Sequence, residues 1–287
     1  MVAPSDYREA AAGEWRILAL NEFWNAKLQD QVLALVRGQA ASRHPQTIEL
    51  SDQIDGEEKS FFLKVFHRIT LLAAVKDQLR RSRALGSWRQ GLALAAAGFK
   101  APLAIAVGAE SGWRLARREF ILTAKIARAP LTTYLRRDCA ASLPFKRDNI
   151  KFLARLIRRF HDAGFVHGDL VATNLVVVAH GMASLEFYFM DNDRTRRYPS
   201  RLRQSLGKRN LIQLNRMPLP GISLQDRMRF LHAYLNVGRL SGADRQFARW
   251  LEARTRRRRK ECDGADPTMS FRRLMCWAPD IAGAKDA

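Results

Sequence analysis

The chain has 287 residues, 47% of them hydrophobic, which is enough to bury one large core or two smaller ones. Its net charge of +21 comes from 49 lysines and arginines against 28 aspartates and glutamates, and it favours an anionic partner such as nucleic acid, acidic lipid or a phosphorylated glycan. No apolar run reaches the roughly 18 residues of a membrane-spanning helix, and the first residues lack a signal-peptide pattern, so we expect a chain that does not span a membrane.

The cysteines indicate the redox state of the compartment in which the protein is expected. Cys139, Cys262 and Cys276 lie far apart in sequence and offer neither a paired metal spacing nor a disulfide framework. This usage is typical of a reducing cytoplasm.

The first 127 residues predict an N-terminal extension over 1–36 and a small mixed lobe over 37–127. The extension carries aromatic and apolar positions followed by a helical pattern. Hydrophobic pattern and turn residues predict four elements in the lobe: strands at 47–50, 60–66 and 120–126, and a helix at 71–97. The second strand places Lys64 among large apolar residues.

Residues 128–287 predict a larger and mainly helical lobe. Short apolar strands are expected at 175–178 and 185–190, and helices at 152–160, 202–216, 224–235 and 241–260. The last helix ends in a basic run from Arg254 to Lys260, which is also what an ordinary charged and solvated helix end looks like. The fold class predicted is therefore α+β with two lobes, the smaller one built on an antiparallel sheet.

Three polar residues in the second lobe stand at a spacing that suits phosphoryl transfer. The stretch His167-Gly168-Asp169 is followed five residues later by Asn174, and an apolar strand then ends at Asp191. A carboxylate such as Asp169 can accept the proton of an attacking hydroxyl, while one amide and one carboxylate oxygen can bind Mg²⁺ together with the phosphates of ATP. Lys64 would add a positive charge for the α- and β-phosphates.

Each of these residues also has a purely structural interpretation. Asp169 and Asn174 are common turn residues, His167 is favoured as a core histidine that orients the loop, and a single strand lysine often only extends to solvent. The full combination in this order is much harder to obtain by chance, and it favours the catalytic interpretation.

At these residues the chain resembles the protein kinase-like superfamily, over about residues 38–235, and within it the bacterial lipopolysaccharide kinases that phosphorylate core sugars. The resemblance implies a protein kinase-like fold, with Asp169 as catalytic base, Asn174 and Asp191 as metal-binding and cofactor-binding residues, and Lys64 as the cofactor-binding lysine. The segments that resemble the lipopolysaccharide branch are 156–164, 191–194 (Asp-Asn-Asp-Arg in place of Asp-Phe-Gly), 208–211 and 226–235.

The chain departs from the superfamily pattern at three places. No glycine-rich phosphate loop precedes Lys64, so the region 38–44 is the candidate for this role. The helix after Lys64 lacks a clear glutamate, because Ser87-Trp88 stands where relatives have an acidic residue, and Asp77 is the nearest candidate partner of Lys64. Gly168 replaces the arginine that pairs with a phosphorylated activation segment in many protein kinases, which predicts a site that needs no such switch.

The function expected is ATP- and Mg²⁺-dependent phosphorylation of a sugar hydroxyl in the inner core of lipopolysaccharide, a lipid A-linked glycan. The enzyme is expected in the cytoplasm, peripheral on the anionic cytoplasmic face of the bacterial inner membrane, with no specific nucleic acid as partner. One alternative is a small-molecule kinase of the aminoglycoside or choline type, although its cationic acceptors would suit an acidic pocket. The other is a pseudokinase scaffold that binds anionic surfaces.

Overall fold

A computed structural model describes residues 2–42, 44–54, 56–69, 82–111, 116–127, 129–131, 142–180, 184–216, 222–263 and 268. The chain divides into two compact units, each described by itself below. Unit 1 comprises Met1–Ala127 and Asp191–Arg194, and unit 2 comprises Arg128–Met190 and Thr195–Ala287. The predicted α+β class with a small sheet-containing part and a mainly helical part is confirmed.

Unit 1 is built on a six-stranded antiparallel sheet with the strand order β1-β2-β5-β6-β4-β3. Its strands are β1 Tyr7–Ala12, β2 Trp15–Leu20, β3 Gln46–Ile54, β4 Glu57–Ile69, β5 Ala104–Glu110 and β6 Ala116–Ala124, and its helices are α1 Ala26–Gly38 and α2 Arg83–Ala96. The two strands β3 and β4 cover the predicted strands at 47–50 and 60–66 and pair as a hairpin, with Lys64 opposite Thr47 of β3 and Ile121 of β6. Lys64 therefore lies on a strand with neighbours on both sides.

The strands β1 and β2 lie within the range 1–36, which the sequence sets apart as an extension. They belong to the same sheet, because β2 pairs with β5 and buries Trp15 and Ile17 in the core of unit 1. The apolar residues that alternate along β2 are buried in this core, and their burial stabilises the pairing. The predicted division of the chain into an extension and two lobes stays a prediction.

The start of α2 is fixed to the sheet by a buried carboxylate. Ser82 caps the helix by accepting a hydrogen bond from Leu85 N, and its hydroxyl donates to Glu119 Oε2 at 2.8 Å. Glu119 lies on β6 and is 3% exposed. The helix predicted at 71–97 is confirmed for its second half only, since residues 70–81, including the candidate Asp77, lie outside the described residues.

Unit 2 combines short strands with four helices in the part that the structure describes. The strands are β7 Ala129–Pro130, β8 Phe165–Val166, β9 Leu175–His180, β10 Ser184–Phe189 and β11 Arg196–Arg197, and the helices are α3 Leu143–Asp162, α4 Ser200–Arg216, α5 Leu224–Leu235 and α6 Gly242–Asp263. The core side chains of α3 lie on one face, and Gly164 follows the helix with φ +89°, a conformation typical of glycine at a helix end. Among the described residues, no helix combines the length and the apolar character needed to cross a membrane.

Candidate active site

The loop from His167 to Asn174 connects β8 to β9 in unit 2. His167 is 1% exposed, its Nδ1 accepts a hydrogen bond from Asp169 N, and its Nε2 lies 2.8 Å from the carbonyl oxygen of Met190. Because Nδ1 is an acceptor, Nε2 carries the proton and donates to Met190. His167 therefore orients the loop, as the sequence predicts.

Asn174 is locked in one amide orientation by the same loop. Its Nδ2 donates to the carbonyl oxygen of Asp169 at 2.9 Å, and its own carbonyl oxygen accepts from Met190 N at 2.9 Å. No described residue donates to Asn174 Oδ1, which leaves a neutral oxygen available as a ligand. The residue after Met190 is Asp191, so the backbone that Asn174 binds leads directly into the second candidate metal ligand.

The carboxylate of Asp169 is held by a residue that sequence reasoning missed. Gln213 on α4 donates from Nε2 to Asp169 Oδ1 at 3.3 Å and to Gly168 O at 3.2 Å, and its Oε1 accepts from Leu170 N. Asp169 itself is half-buried. A side-chain amide thus fixes both the backbone and the carboxylate at the position predicted for the base.

Asn210, one turn earlier on α4, supports the loop from below. Its Oδ1 accepts from His167 N at 2.9 Å and faces His161 Nε2, while its Nδ2 donates to His167 O and to Gln213 Oε1. All four hydrogen-bonding positions of this buried amide are therefore used. Asn210 lies in the segment 208–211, which resembles the lipopolysaccharide kinases, whereas nothing in the sequence indicates a role for Gln213.

Lys64 and Asp191 form an ion pair within unit 1. Both side chains keep contact with solvent, at 24% and 41% exposed, so other ligands can reach them. Asp191 also has φ +52°, a left-handed backbone conformation that residues other than glycine adopt at some cost. The predicted cofactor lysine and the predicted metal carboxylate are thus brought together, although 127 positions separate them in the chain.

The oxygen donors suit magnesium better than a transition metal. Among the described residues, no three histidine, cysteine, aspartate or glutamate side chains gather into a metal cage. Mg²⁺ is usually bound by one or two protein oxygens together with substrate phosphates. The amide oxygen of Asn174 in unit 2 and the carboxylate of Asp191 in unit 1 are each an oxygen of this type. The residues therefore fit the cofactor that the sequence predicts.

Two further predictions concern the surroundings of Lys64. The region 38–44 joins the end of α1 to β3, and its phosphate-binding role stays a prediction. The helix α2 contains no aspartate or glutamate, so no residue of Arg83–Ala96 can be the carboxylate partner of Lys64.

The comparisons with known proteins agree with the resemblance. A model of the lipopolysaccharide kinase (Kdo/WaaP) family matches residues 43–234, about two thirds of the chain. None of the curated proteins matches this chain. A solved structure described as WaaP in complex with acyl carrier protein is similar in fold, with a TM-score of 0.54 and 21% identity over 81% of this chain and 92% of that chain. The PknI kinase domain of Mycobacterium tuberculosis matches at a TM-score of 0.35 and 14% identity, over 83% of this chain and 90% of that one.

Proposed function

Because the chain belongs to the lipopolysaccharide kinase (Kdo/WaaP) family and is an ATP-dependent kinase, we propose that it phosphorylates a sugar hydroxyl of the lipopolysaccharide inner core. The observation that carries this proposal is the hydrogen bond from Asn174 Nδ2 to Asp169 O, together with the Gln213 contact to the Asp169 carboxylate. These contacts hold a carboxylate base and a neutral ligand oxygen in one loop, which is what phosphoryl transfer asks of a protein.

The chemical step needs few groups from the chain. The carboxylate of Asp169 accepts the proton of the sugar hydroxyl while the hydroxyl oxygen forms a bond to the γ-phosphorus of ATP. The bond from that phosphorus to the β,γ-bridging oxygen breaks, which releases ADP. Asn174 Oδ1 and the Asp191 carboxylate would hold Mg²⁺, which neutralises charge on the phosphate oxygens when bound. Lys64 places its ammonium group beside the Asp191 carboxylate, where it can also meet phosphate oxygens.

A labelling experiment tests the acceptor. The protein is incubated with radiolabelled ATP, Mg²⁺ and extracted lipopolysaccharide, and Asp169→Asn is compared with the wild type and with Asp148→Asn, an exposed carboxylate on α3. Loss of the base is expected to reduce labelling about 10²- to 10⁴-fold, with Asp148→Asn unaffected. Mass spectrometry of the released core then identifies the phosphorylated sugar.

Two results would overturn this proposal. Label that enters lipopolysaccharide equally with Asp169→Asn is not transferred by this site. Asp169-dependent transfer to aminoglycosides or choline, with none to lipopolysaccharide, would instead establish the small-molecule kinase alternative.

We further propose that the enzyme is peripheral on the anionic cytoplasmic face of the inner membrane and that one face of α6 contacts the lipid. This α6 basic face consists of Arg249, Trp250, Arg254, Arg257 and Lys260, all exposed and spaced three or four residues apart in the main. Such spacing places side chains on the same side of a helix. Each basic residue near an anionic bilayer contributes about 1 kcal/mol to association.

An aromatic group lies within the α6 basic face and favours a lipid surface. Trp250 stacks on Phe247 at 5.9 Å between ring centroids, and Lys208 Nζ of α4 and the Arg254 guanidinium lie within 6 Å of the Trp250 ring centroid. Tryptophan beside lysine and arginine is typical of membrane interfaces, where the ring sits at headgroup level. The exposed pair of Arg257 with Glu261 is too weak to prevent lipid contact.

The membrane proposal is tested with sedimentation of vesicles that contain phosphatidylglycerol and phosphatidylethanolamine. Changing Arg249, Arg254 and Arg257 to Glu is expected to lower binding at least about tenfold, since three favourable charges are reversed. Changing the exposed Arg16, Arg37 and Arg89 of unit 1 to Glu alters the net charge equally and should have a much smaller effect. Equal losses in both variants, or α6-dependent binding to DNA but not to vesicles, would contradict the proposal.

A further inference from the structure

Two ion pairs meet at one aromatic ring in unit 1. The Lys64 ammonium lies 5.5 Å from the centroid of the Phe66 ring, and the Arg83 guanidinium carbon lies 4.8 Å from it. Lys64 pairs with Asp191, and Arg83 Nη2 donates to Asp193 Oδ2 at 2.5 Å. The two aspartates are two positions apart, so the segment Asp191–Arg194 is bound at two points, one from β4 and one from α2.

The position of Arg83 is not explained by the stability of its helix. It is the first residue of α2, where the helix dipole disfavours a cation. Its partner Asp193 is only 5% exposed, and a carboxylate buried to this degree needs charge compensation and hydrogen bonds. The pair therefore compensates the charge of the buried Asp193 carboxylate, although a cation at this position disfavours the start of α2.

The same pair connects α2 to the metal-binding segment. In protein kinases an ion pair between the strand lysine and a helix glutamate makes the connection between helix and phosphate site. Here α2 carries no acidic residue, and the cation is on the helix while the carboxylate is on the segment that follows Asp191. Glu119 anchors the start of α2 to β6, so Arg83 projects from a fixed point of the sheet.

We propose that Arg83 and Asp193 are positioning residues that hold Asp191 in its left-handed conformation and so aim its carboxylate for the magnesium complex of ATP. Asp191 has φ +52°, and a residue in this region needs support from its surroundings to remain there. The Asn192–Arg194 3₁₀ turn that follows packs against α2. The inference rests on the proposed use of ATP with Mg²⁺ and adds the device that orients the metal ligand.

The test measures nucleotide binding, which does not depend on the acceptor. The affinity of a fluorescent ATP analogue is titrated with Mg²⁺ and with EDTA for Arg83→Gln and for Arg89→Gln, an exposed arginine on the same helix. Arg83→Gln is expected to weaken binding about 10- to 100-fold in Mg²⁺ and little in EDTA, as is typical when a residue that orients a metal ligand from the surrounding shell is lost. Hydrogen exchange of the peptide around residues 186–197 should also become faster.

Further variants separate positioning from folding. Arg83→Lys keeps a cation and should give an intermediate affinity, while Arg83→Gln combined with Asp193→Asn should bind no more weakly than the worse single variant, because the pair acts as a unit. Losses of equal size in Mg²⁺ and EDTA, or additive effects of the two changes, would overturn the inference. If Mg²⁺-dependent ATP binding requires Arg83 but the wild type does not label lipopolysaccharide, only the proposed acceptor is refuted.

Discussion

Asn210 and Gln213 of unit 2 support a site without contributing its chemical groups, which other elements carry. Neither side chain carries chemistry in phosphoryl transfer, yet together they bind the backbone of His167, Gly168 and Leu170. Amides suit this task because each offers donors and acceptors at once. The position of the Asp169 carboxylate therefore depends on α4 as much as on its own loop.

Replacing Gln213 with Leu is expected to lower kcat about 10- to 100-fold, since small displacements of a catalytic group have effects of this size. The apparent affinity for ATP should change little, because Gln213 hydrogen-bonds to Asn210 and to the loop with the base, and to none of the residues predicted to bind ATP. Initial rates at several ATP concentrations separate the two parameters. Gln213→Glu is the matched comparison, and a loss of ATP affinity with kcat unchanged would contradict the assignment.

His161 gives a residue-scale prediction about pH. Burial lowers its pKa from 6.5 to about 4, and its neighbours agree with a neutral ring, since Nε2 donates to Asn210 Oδ1 and Nδ1 accepts from the Tyr234 hydroxyl. The ring takes up a proton near pH 6.5 in the unfolded chain but only near pH 4 in the folded protein. As the pH falls from 6.5 to 4, protonation therefore favours the unfolded chain, and the free energy of unfolding decreases; above pH 6.5 this loss is absent. Urea unfolding should show the free energy of unfolding decreasing by about 1.4 kcal/mol per pH unit in this window. The dependence should be shallower in His161→Gln; an identical slope would contradict it.

At the scale of elements, the basic run of α6 divides into structural and exposed arginines. Arg259 is 2% exposed and donates to the carbonyl oxygens of Arg216 and Asn215, which end α4. These carbonyls have no partner within their own helix, and a cation there also complements the dipole of α4. Arg257, two positions earlier, is 71% exposed.

Arg259→Met is therefore expected to lower the free energy of unfolding by about 2–4 kcal/mol, because it removes a hydrogen-bond donor from the carbonyl oxygens of Asn215 and Arg216 and an ion-pair partner from Glu252. Arg257→Met should change it by less than about 0.5 kcal/mol. Urea denaturation of both variants at one pH measures the difference. Similar values for the two would mean that Arg259 is not a cap of α4.

Secondary structure was predictable where periodicity was strong. The helices at 202–216, 224–235 and 241–260 and the strands at 47–50 and 60–66 are confirmed to within a few residues. Ser241, the first residue of the predicted range, caps α6 by accepting a hydrogen bond from Asp244 N at 3.1 Å. The pairing of β2 with β5 was not predictable, because the alternation along a strand shows which face is buried but not which strand lies beside it.

At the scale of the whole molecule, the chain resembles enzymes that are switched by phosphorylation but lacks the group for it. Gly168 precedes Asp169, where many protein kinases have an arginine that binds the phosphorylated segment. We expect treatment with phosphatase to change turnover by less than about twofold, since a phosphate would find no cation at this position. Turnover measured before and after treatment, with phosphorylation monitored by mass spectrometry, checks this. A turnover that is much higher in the phosphorylated protein than in the phosphatase-treated one would contradict this expectation.

The sequence by itself determined the class of fold and the family, and it predicts Asp169, Asn174 and Asp191 as residues of the site. These follow from local order along the chain, where a loop of fixed spacing and an apolar strand place chemical groups without reference to distant residues. Only the tertiary structure decided the partners. Lys64 meets Asp191 across 127 positions and Arg83 meets Asp193 across 110, and both pairings depend on the strand order of unit 1 and on the burial of Asp193. Contacts of this range arise from packing, which no local pattern encodes.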